Sequence, residues 1–276
     1  MAAPALDLVA VTTPLGSHFE LGMAALAAGK HLFLAKPMCA TVREAETLAE
    51  AADQAGLLLM VDHTALFHNA VTWLADFVAR GGLGEPLYLD CVRGNLGLFQ
   101  ADHNVLWDLA PHDLAILGRL AAGRPIRVSA QGARRPGEAL EYLTYLTVSY
   151  QNGFLAHFQH NWLSPLKMRH IILGGGEKLA VFNQLKPEGG LRIFDKSVRA
   201  RRACGEYPGE IRYRDGDVFT PELPYCEPLA LEMAHLRDCL VNGARPVSGA
   251  AQGLAVVRLL EAAQKSLRLG GEPVAL

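Results

Sequence analysis

The sequence predicts an α/β fold in which a small parallel sheet precedes a larger α+β unit with a mostly antiparallel, open sheet. Three observations predict this fold. Apolar strands alternate with capped helices over residues 1–63, a series of short strand-like segments separated by Gly, Asn and Pro turns begins at Glu85, and two helical segments close the chain. We therefore expect two units, residues 1–63 and 64–276, with the C-terminal helices able to pack back on the first unit.

The first unit contains three predicted strands and two predicted helices. Each strand is apolar at consecutive positions, which is typical of strands covered on both faces in a parallel sheet. The first helix is expected to begin at Ser17 as its N-cap, with Glu20 completing a capping box, and to end at Gly29. In chain order the segments are LDLVAVTTP, SHFELGMAALAAGK, HLFLAKP, TVREAETLAEAADQAG and LLLMVDHT. This βαβαβ alternation predicts right-handed crossovers between parallel strands.

The second unit follows a further helix, NAVTWLADFVARGG. Its predicted strands are EPLYLDCVRGN, IRVSAQGARR, EYLTYLTVSY, GFLAHFQHNW, MRHIILGGG, KLAVFNQL and LRIFDKSV. Their short turns favour antiparallel pairing. The helix VLWDLAPHDLAILGRLAAG is expected near the junction of the two units, and EPLALEMAHLRDCLVNG and AAQGLAVVRLLEAAQKSLRLGG are the closing helices.

Polar residues follow each of the three strands of the first unit. The three strand ends are Thr12, Thr13 and Pro14; Ala35, Lys36 and Pro37; and Asp62, His63 and Thr64. Ligands of open parallel sheets bind beyond the carboxyl ends of the strands. The sequence therefore predicts a ligand site at this rim.

A carboxylate and an imidazole, Asp108 and His112, lie four positions apart in the junction helix. Residues with this spacing share one helical face, with Cβ atoms about 5–6 Å apart. A nearby carboxylate favours the imidazolium and fixes the orientation of the ring, which suits a general base for a hydroxyl proton. The alternative interpretation is a solvated pair or a hydrogen bond between domains. The Lys36-Pro37 dipeptide, at the end of the second strand, favours the interpretation of Asp108 and His112 as part of an active site.

Composition excludes several classes of protein. The 276 residues carry a formal net charge of −2, half of them are hydrophobic, and no segment of 18 uninterrupted apolar residues occurs. These features favour neither a nucleic-acid partner nor a membrane partner. The five cysteines are scattered without a C-x-x-C pair, so we expect reduced thiols and a cytoplasmic protein. His157 and His160 fall on opposite faces of a strand, and no metal site is predicted.

Four features follow one another along the chain: a T-P with a histidine four residues on, a K-P after the next strand, a D-x-x-x-H helix and a large antiparallel sheet. Together they resemble the glucose-fructose oxidoreductase and inositol dehydrogenase family (Gfo/Idh/MocA). The resemblance covers essentially the whole chain. It implies a two-domain, nicotinamide-dependent oxidoreductase that acts on a sugar, cyclitol or nucleotide-sugar and forms a homo-oligomer through its open sheet.

The resemblance also implies roles for individual residues. His112 would accept the substrate hydroxyl proton, Asp108 would orient it or share the role, and Lys36 would hydrogen-bond the reacting oxygen. The residues expected to contact NAD or NADP are Thr12, Thr13, Pro14, His18, Lys36 and Pro37. The residues expected to contact substrate are Arg93, Asn95 and Trp107. Plainer alternatives are a helix-cap environment for His18, a solvated strand-end position for Arg93 and a core position for Trp107.

The chain departs from the family pattern in two places. Ala35 stands where the family has the acidic residue of E-K-P, and no G-x-G-x-x-G turn precedes the first strand. We therefore expect binding of NAD or NADP to be weakened or lost, and the first strand to lie at an open sheet edge. Two alternative functions stay open: a non-redox paralogue that binds carbohydrate or serves as an assembly subunit, and a cofactor-independent acid–base enzyme such as an epimerase or lyase.

Overall fold

The computed structural model describes residues 6–97, 99, 102–186, 189–200 and 211–276. The strands are β1 Leu8–Val11, β2 His31–Leu34, β3 Leu59–Val61, β4 Pro86–Leu96, β5 Pro125–Ala133, β6 Leu143–Tyr150, β7 Leu155–Asn161, β8 Leu163–Gly175, β9 Leu179–Asn183, β10 Leu191–Ala200, β11 Ile211–Phe219 and β12 Val274–Ala275. The helices are α1 His18–Ala27, α2 Val42–Gln54, α3 Asn69–Ala79, α4 Val105–Leu120, α5 Pro228–Asn242 and α6 Ala250–Arg268.

The first sheet has the order β1-β2-β3 with all strands parallel, as the alternation of apolar strands and helices predicts. Leu32, Leu34 and Leu48 are fully buried between this sheet and the adjoining helices, because its strands are covered on both faces. Within the described residues β1 pairs only with β2 and forms an edge of the sheet.

The two helix starts of this unit differ from each other. Thr41 and Glu44 form the capping box at the start of α2. The capping box predicted for α1 is wrong, since the Ser17 hydroxyl makes no cap hydrogen bond and donates to the carbonyl oxygen of Pro14 at 2.8 Å. The chain enters α1 through a 3-10 turn, Leu15–Ser17, and this turn places Ser17 in a helical conformation that is unsuitable for an N-cap.

The second sheet has nine strands in the order β11-β10-β9-β8-β4-β7-β6-β5-β12. Its strand pairs are antiparallel apart from the parallel pair β4 and β7, which confirms the mostly antiparallel sheet. The seven strands expected from the sequence appear as β4 to β10. Strands β11 and β12 were not expected.

Helices α4 and α6 cover one face of the second sheet, and α6 also packs on α2 and β3 of the first unit. Leu114 and Leu117 of α4 are buried in the shared core. The opposite face of the sheet carries exposed apolar side chains, among them Tyr88, Tyr145 and Leu155. The division of the chain at residues 63 and 64 stays a prediction.

Candidate active site

Lys36 connects the two units at the carboxyl end of β2. Its Nζ donates to the main-chain carbonyl oxygen of Asp108 at 2.5 Å and to the carboxylate Oδ1 of Asp108 at 3.1 Å. The other carboxylate oxygen of Asp108 accepts from the indole Nε1 of Trp162 at 3.0 Å. The rim of the parallel sheet and the junction helix α4 therefore meet at this lysine.

His112 lies one turn further along α4, and its Nδ1 is buried without a hydrogen-bond partner. Burial, together with the nearby Lys36 and Arg93 cations, lowers the pKa of His112 well below its usual 6.5. The expectation that Asp108 favours an imidazolium is therefore wrong. Asp108 is bonded to Lys36 and Trp162 instead, and His112 is a neutral imidazole at neutral pH.

His63, which follows β3, packs against His112. The two ring centroids are 6.4 Å apart with the planes at 80°. His63 is fully buried with neither ring nitrogen partnered, and burial lowers its pKa to about 4 against an opposing effect of Asp62. The sequence placed His63 at the strand rim but gave it no role, because its contact with α4 joins positions far apart in the chain.

Arg93 of β4 forms a buried ion pair with Asp113 of α4. Its Nε donates to Oδ2 of Asp113 at 2.8 Å and its terminal NH2 group donates to Oδ1 at 2.5 Å. The Nε2 of His160 lies 3.3 Å from the same carboxylate. Burial alone would raise the pKa of Asp113, but the Arg93 guanidinium holds it well below its usual range. The alternative of a solvated strand-end arginine is wrong, since the side chain of Arg93 is 5% exposed.

A cleft of about 350 Å³ opens between α4, β8 and the start of α5. Its polar lining includes Thr64, Arg93, His112, Arg169, Gln184 and Glu227. Two of the expected site residues, His112 and Arg93, are thus brought together in one cavity. Arg169 and Gln184 were not identified from the sequence.

Trp107 and Asn95 lie elsewhere. The Trp107 indole is 8% exposed, packs in the core and donates from Nε1 to Oε1 of Gln264 at 3.1 Å, which agrees with the plainer core alternative. Asn95 is half-buried near the end of β4 and is not part of the lining of the cleft. Their expected contact with substrate stays a prediction.

The expected cofactor residues cluster around the ends of β1 and β2. Thr12, Thr13 and Pro14 are exposed. His18 is buried, and its ring nitrogens lie 3.0 Å and 2.8 Å from the carbonyl oxygens of Pro37 and Thr13. His18 therefore ties the two strand ends together, and the Thr13 hydroxyl is hydrogen-bonded to the Ser17 hydroxyl at 2.7 Å.

Among the residues that the structure describes, no group of three or more His, Cys, Asp or Glu side chains is arranged to hold a metal ion. No helix in that part of the chain is both long and apolar enough to cross a membrane.

Two family models match the chain. Residues 1–63 match the oxidoreductase family with an NAD-binding Rossmann fold, and residues 71–179 match the GFO/IDH/MocA C-terminal domain. The first sheet is thus the Rossmann-type unit and the second sheet the C-terminal domain. These matches define a nicotinamide-dependent class of oxidoreductase.

Similar proteins agree with the models. The chain is 26% identical to scyllo-inositol 2-dehydrogenase (NADP(+)) IolW of Bacillus subtilis, over 95% of this chain and 77% of that protein. It is 28% identical to UDP-N-acetylglucosamine 3-dehydrogenase of Acidithiobacillus ferrooxidans, over 94% and 77%. The solved inositol dehydrogenase homolog of Azotobacter vinelandii, complexed with NADH and myo-inositol, superposes with a TM-score of 0.77 at 21% identity, over 100% and 79%. The chain belongs to the Gfo/Idh/MocA oxidoreductase family.

Proposed function

We propose that the protein transfers a hydride between a nicotinamide cofactor and the hydroxyl-bearing carbon of a sugar, cyclitol or nucleotide-sugar, with His112 as the proton acceptor. One observation carries the proposal: the His112 imidazole lines a cleft, and burial and the nearby Lys36 charge lower its pKa, so that the neutral form prevails at neutral pH. A neutral imidazole can take a hydroxyl proton at neutral pH, whereas an imidazolium cannot.

Lys36 and Asp108 have complementary tasks in this proposal. The Lys36 ammonium group donates a hydrogen bond to the reacting oxygen and stabilises the negative charge that develops there. Asp108 positions that ammonium group through its carbonyl and carboxylate oxygens. The Trp162 indole fixes the Asp108 carboxylate in turn. Asp108 thus acts through the lysine and makes no hydrogen bond with the imidazole in this structure.

The residues around the ends of β1 and β2 fit a nicotinamide cofactor. Thr12, Thr13 and Pro14 are exposed at the edge of the rim, and Lys36 at the neighbouring strand end is bonded to Asp108. We propose that these residues contact the nicotinamide end of NAD or NADP, and that His18 supports them from below. When bound, the nicotinamide supplies the hydride acceptor or donor.

The relatives support the substrate class. Two of them are named for scyllo-inositol and UDP-N-acetylglucosamine, which are a cyclitol and a nucleotide-sugar. Among the expected substrate residues, Arg93 reaches the cleft as part of its floor, held there by Asp113. For Asn95 and Trp107 the proposal has no support from the cleft lining.

We also propose a cytoplasmic homo-oligomer built through the open face of the second sheet. The exposed apolar side chains of Tyr88, Tyr145 and Leu155 on that face support an interface. The cytoplasmic location is supported by the free thiols of Cys39, Cys91, Cys226 and Cys239. Sedimentation of Leu155→Glu tests the interface. The variant is expected to sediment as a smaller species than the wild type, and an unchanged species would contradict the interface.

Turnover tests the reaction itself. Purified protein is mixed with NAD or NADP and a panel of cyclitols, neutral and acidic sugars and nucleotide-sugars, and formation of the reduced nicotinamide is followed by absorbance. For any substrate that reacts, His112→Asn is expected to lower kcat by about 10²-fold or more with the fold intact. His170→Asn, a change at an exposed histidine of β8, is the control. Absence of turnover across the panel, or full turnover by His112→Asn, would contradict the proposal.

A further inference from the structure

Two arginines face each other on the floor of the cleft. Arg93 of β4 and Arg169 of β8 are directly paired in the antiparallel ladder. Cross-strand partners point to the same face of a sheet, and both line the cleft that contains His112. The Asp113 carboxylate neutralises Arg93 through two hydrogen bonds. The floor therefore has two guanidinium groups for one paired carboxylate.

Arg169 is the member of the pair left without an anion. Within the described part of the chain its side chain makes no ion pair, and its Nε is buried without a hydrogen-bond partner. Burial and the neighbouring Arg93 lower the pKa of Arg169. A buried donor without an acceptor is destabilising, so a protein rarely keeps one without a compensating partner.

Gln184 adds a second donor at the same place. Its Oε1 lies 3.3 Å from the terminal NH2 group of Arg93, from which it accepts, and its Nε2 is buried without a partner. The main-chain N–H of Gln184 donates to the carbonyl oxygen of Arg169 at 2.9 Å, which holds the two residues side by side. The guanidinium of Arg169 and the amide of Gln184 therefore offer adjacent donors.

The other charged group of the cleft lining does not satisfy these donors. Glu227 is an exposed residue at the start of α5, where its Oε2 accepts from the main-chain N–H of Ala230 at 2.7 Å as a helix cap. The Arg169 guanidinium therefore leaves an uncompensated positive charge on the floor, in the same cavity as His112. An acceptor-rich, negatively charged group would complete it.

We propose that Arg169, assisted by Gln184, binds an anionic group, a carboxylate or a phosphate, carried by the substrate, so that the enzyme selects an acidic sugar or cyclitol over its neutral counterpart. The inference rests on the proposed function, because it places this anion in the cleft that holds the reacting carbon beside His112. The cleft volume of about 350 Å³ lies near the lower end of the range for ligand pockets, about 300–1,000 Å³, and suits a single ring with one charged substituent.

Calorimetric titration of the protein without cofactor tests this binding separately from any turnover. The probes are D-glucose, D-glucuronate and D-glucose 6-phosphate, with myo-inositol and an inositol monophosphate as the cyclitol pair. Wild-type protein is expected to bind at least one acidic probe about tenfold to a hundredfold more tightly than its neutral partner, the range expected for hydrogen bonds to a charged group. Uronate and phosphate probes distinguish the two anions.

Arg169→Gln is expected to remove this preference, so that the acidic probe and its neutral partner bind with similar affinity. Lys167→Gln, which removes an exposed positive charge from the same strand, is expected to keep the preference. Arg169→Lys serves as a second variant if Arg169→Gln does not fold, and is expected to lose several-fold in affinity for the acid because ammonium lacks the planar donor fork.

Two results would overturn the inference. One is that no acidic probe binds more tightly than its neutral partner, including the case in which nothing binds. The other is that the preference survives in Arg169→Gln or, if that variant does not fold, that Arg169→Lys binds the acidic probe as tightly as the wild type. An Arg169-dependent preference in a protein without turnover would keep the inference and defeat the proposed reaction, whereas turnover of neutral substrates alone would do the reverse.

Discussion

Removing the charge of Asp113 tests how much the buried ion pair between Arg93 and Asp113 contributes to stability. In Asp113→Asn the guanidinium of Arg93 stays buried, 5% exposed, without its carboxylate. Breaking a buried ion pair by removing one partner costs about 3–5 kcal/mol, since the remaining charge is left uncompensated. The negative charge beside the buried His160 ring, 3.3 Å away, is also lost. We therefore expect the free energy of unfolding to fall by about 3–5 kcal/mol.

Urea unfolding followed by tryptophan fluorescence measures this loss, with the fully buried Trp162 as a reporter. Asp76→Asn, at an exposed position of α3, is the matched control and is expected to change stability by less than about 0.5 kcal/mol. The double variant Arg93→Met, Asp113→Leu is expected to be more stable than Asp113→Asn, because it leaves no unpaired buried charge. A loss below about 1 kcal/mol in Asp113→Asn would refute the reasoning.

Three further predictions concern stability. Burial, reinforced by Asp62, raises the pKa of Glu232 from 4.5 to about 8, so the folded protein holds a proton there that the unfolded chain releases. The stability of the wild type relative to Glu232→Gln should therefore fall by roughly 4–5 kcal/mol as the pH rises from about 4.5 to about 8, and parallel pH curves for the two proteins would contradict this. Thr41→Ala should cost about 1 kcal/mol by urea unfolding through loss of the α2 cap, and an unchanged midpoint would show that the capping box contributes nothing. Ser266→Ala should lower the free energy of unfolding by roughly 1–3 kcal/mol, because the buried N–H of Ala130 loses its acceptor at 2.8 Å. A change within error would mean that another group replaces the hydroxyl.

The sequence was most informative about the parallel unit. Runs such as HLFL can be buried on both faces only in a covered sheet, so local pattern and tertiary context agree there. Ligands of open parallel sheets bind beyond the carboxyl ends of the strands, and this principle correctly placed Lys36 at the site. In the structure Lys36 contacts Asp108 of the D-x-x-x-H helix, 72 positions away in the chain. In these cases residues far apart in the chain come close because the carboxyl ends of parallel strands lie at the same edge of the sheet, and each strand can be recognised from its local sequence.

Other parts of the fold and site depend on contacts that local pattern does not specify. Strand β11 has the polar, alternating sequence IRYRDGDVF and is defined by pairing with β10. The partners of Arg93 come from a helix and from a distant turn, so its burial could not be inferred from β4 alone. The neutral state of His112 depends on two cations supplied by different strands. The four-residue spacing of Asp108 and His112 therefore predicted the wrong charge state for the imidazole.

The pH dependence of kcat/KM in the direction of substrate oxidation tests most directly whether a neutral His112 beside Lys36 takes the substrate proton. The acidic limb of this profile reports the proton acceptor of the free enzyme. We predict a limb with its midpoint below pH 6.5 in the wild type, because burial and the Lys36 charge disfavour the imidazolium, and a limb at higher pH in Lys36→Met. A wild-type midpoint at or above pH 6.5, or one that does not move in Lys36→Met, would contradict the account.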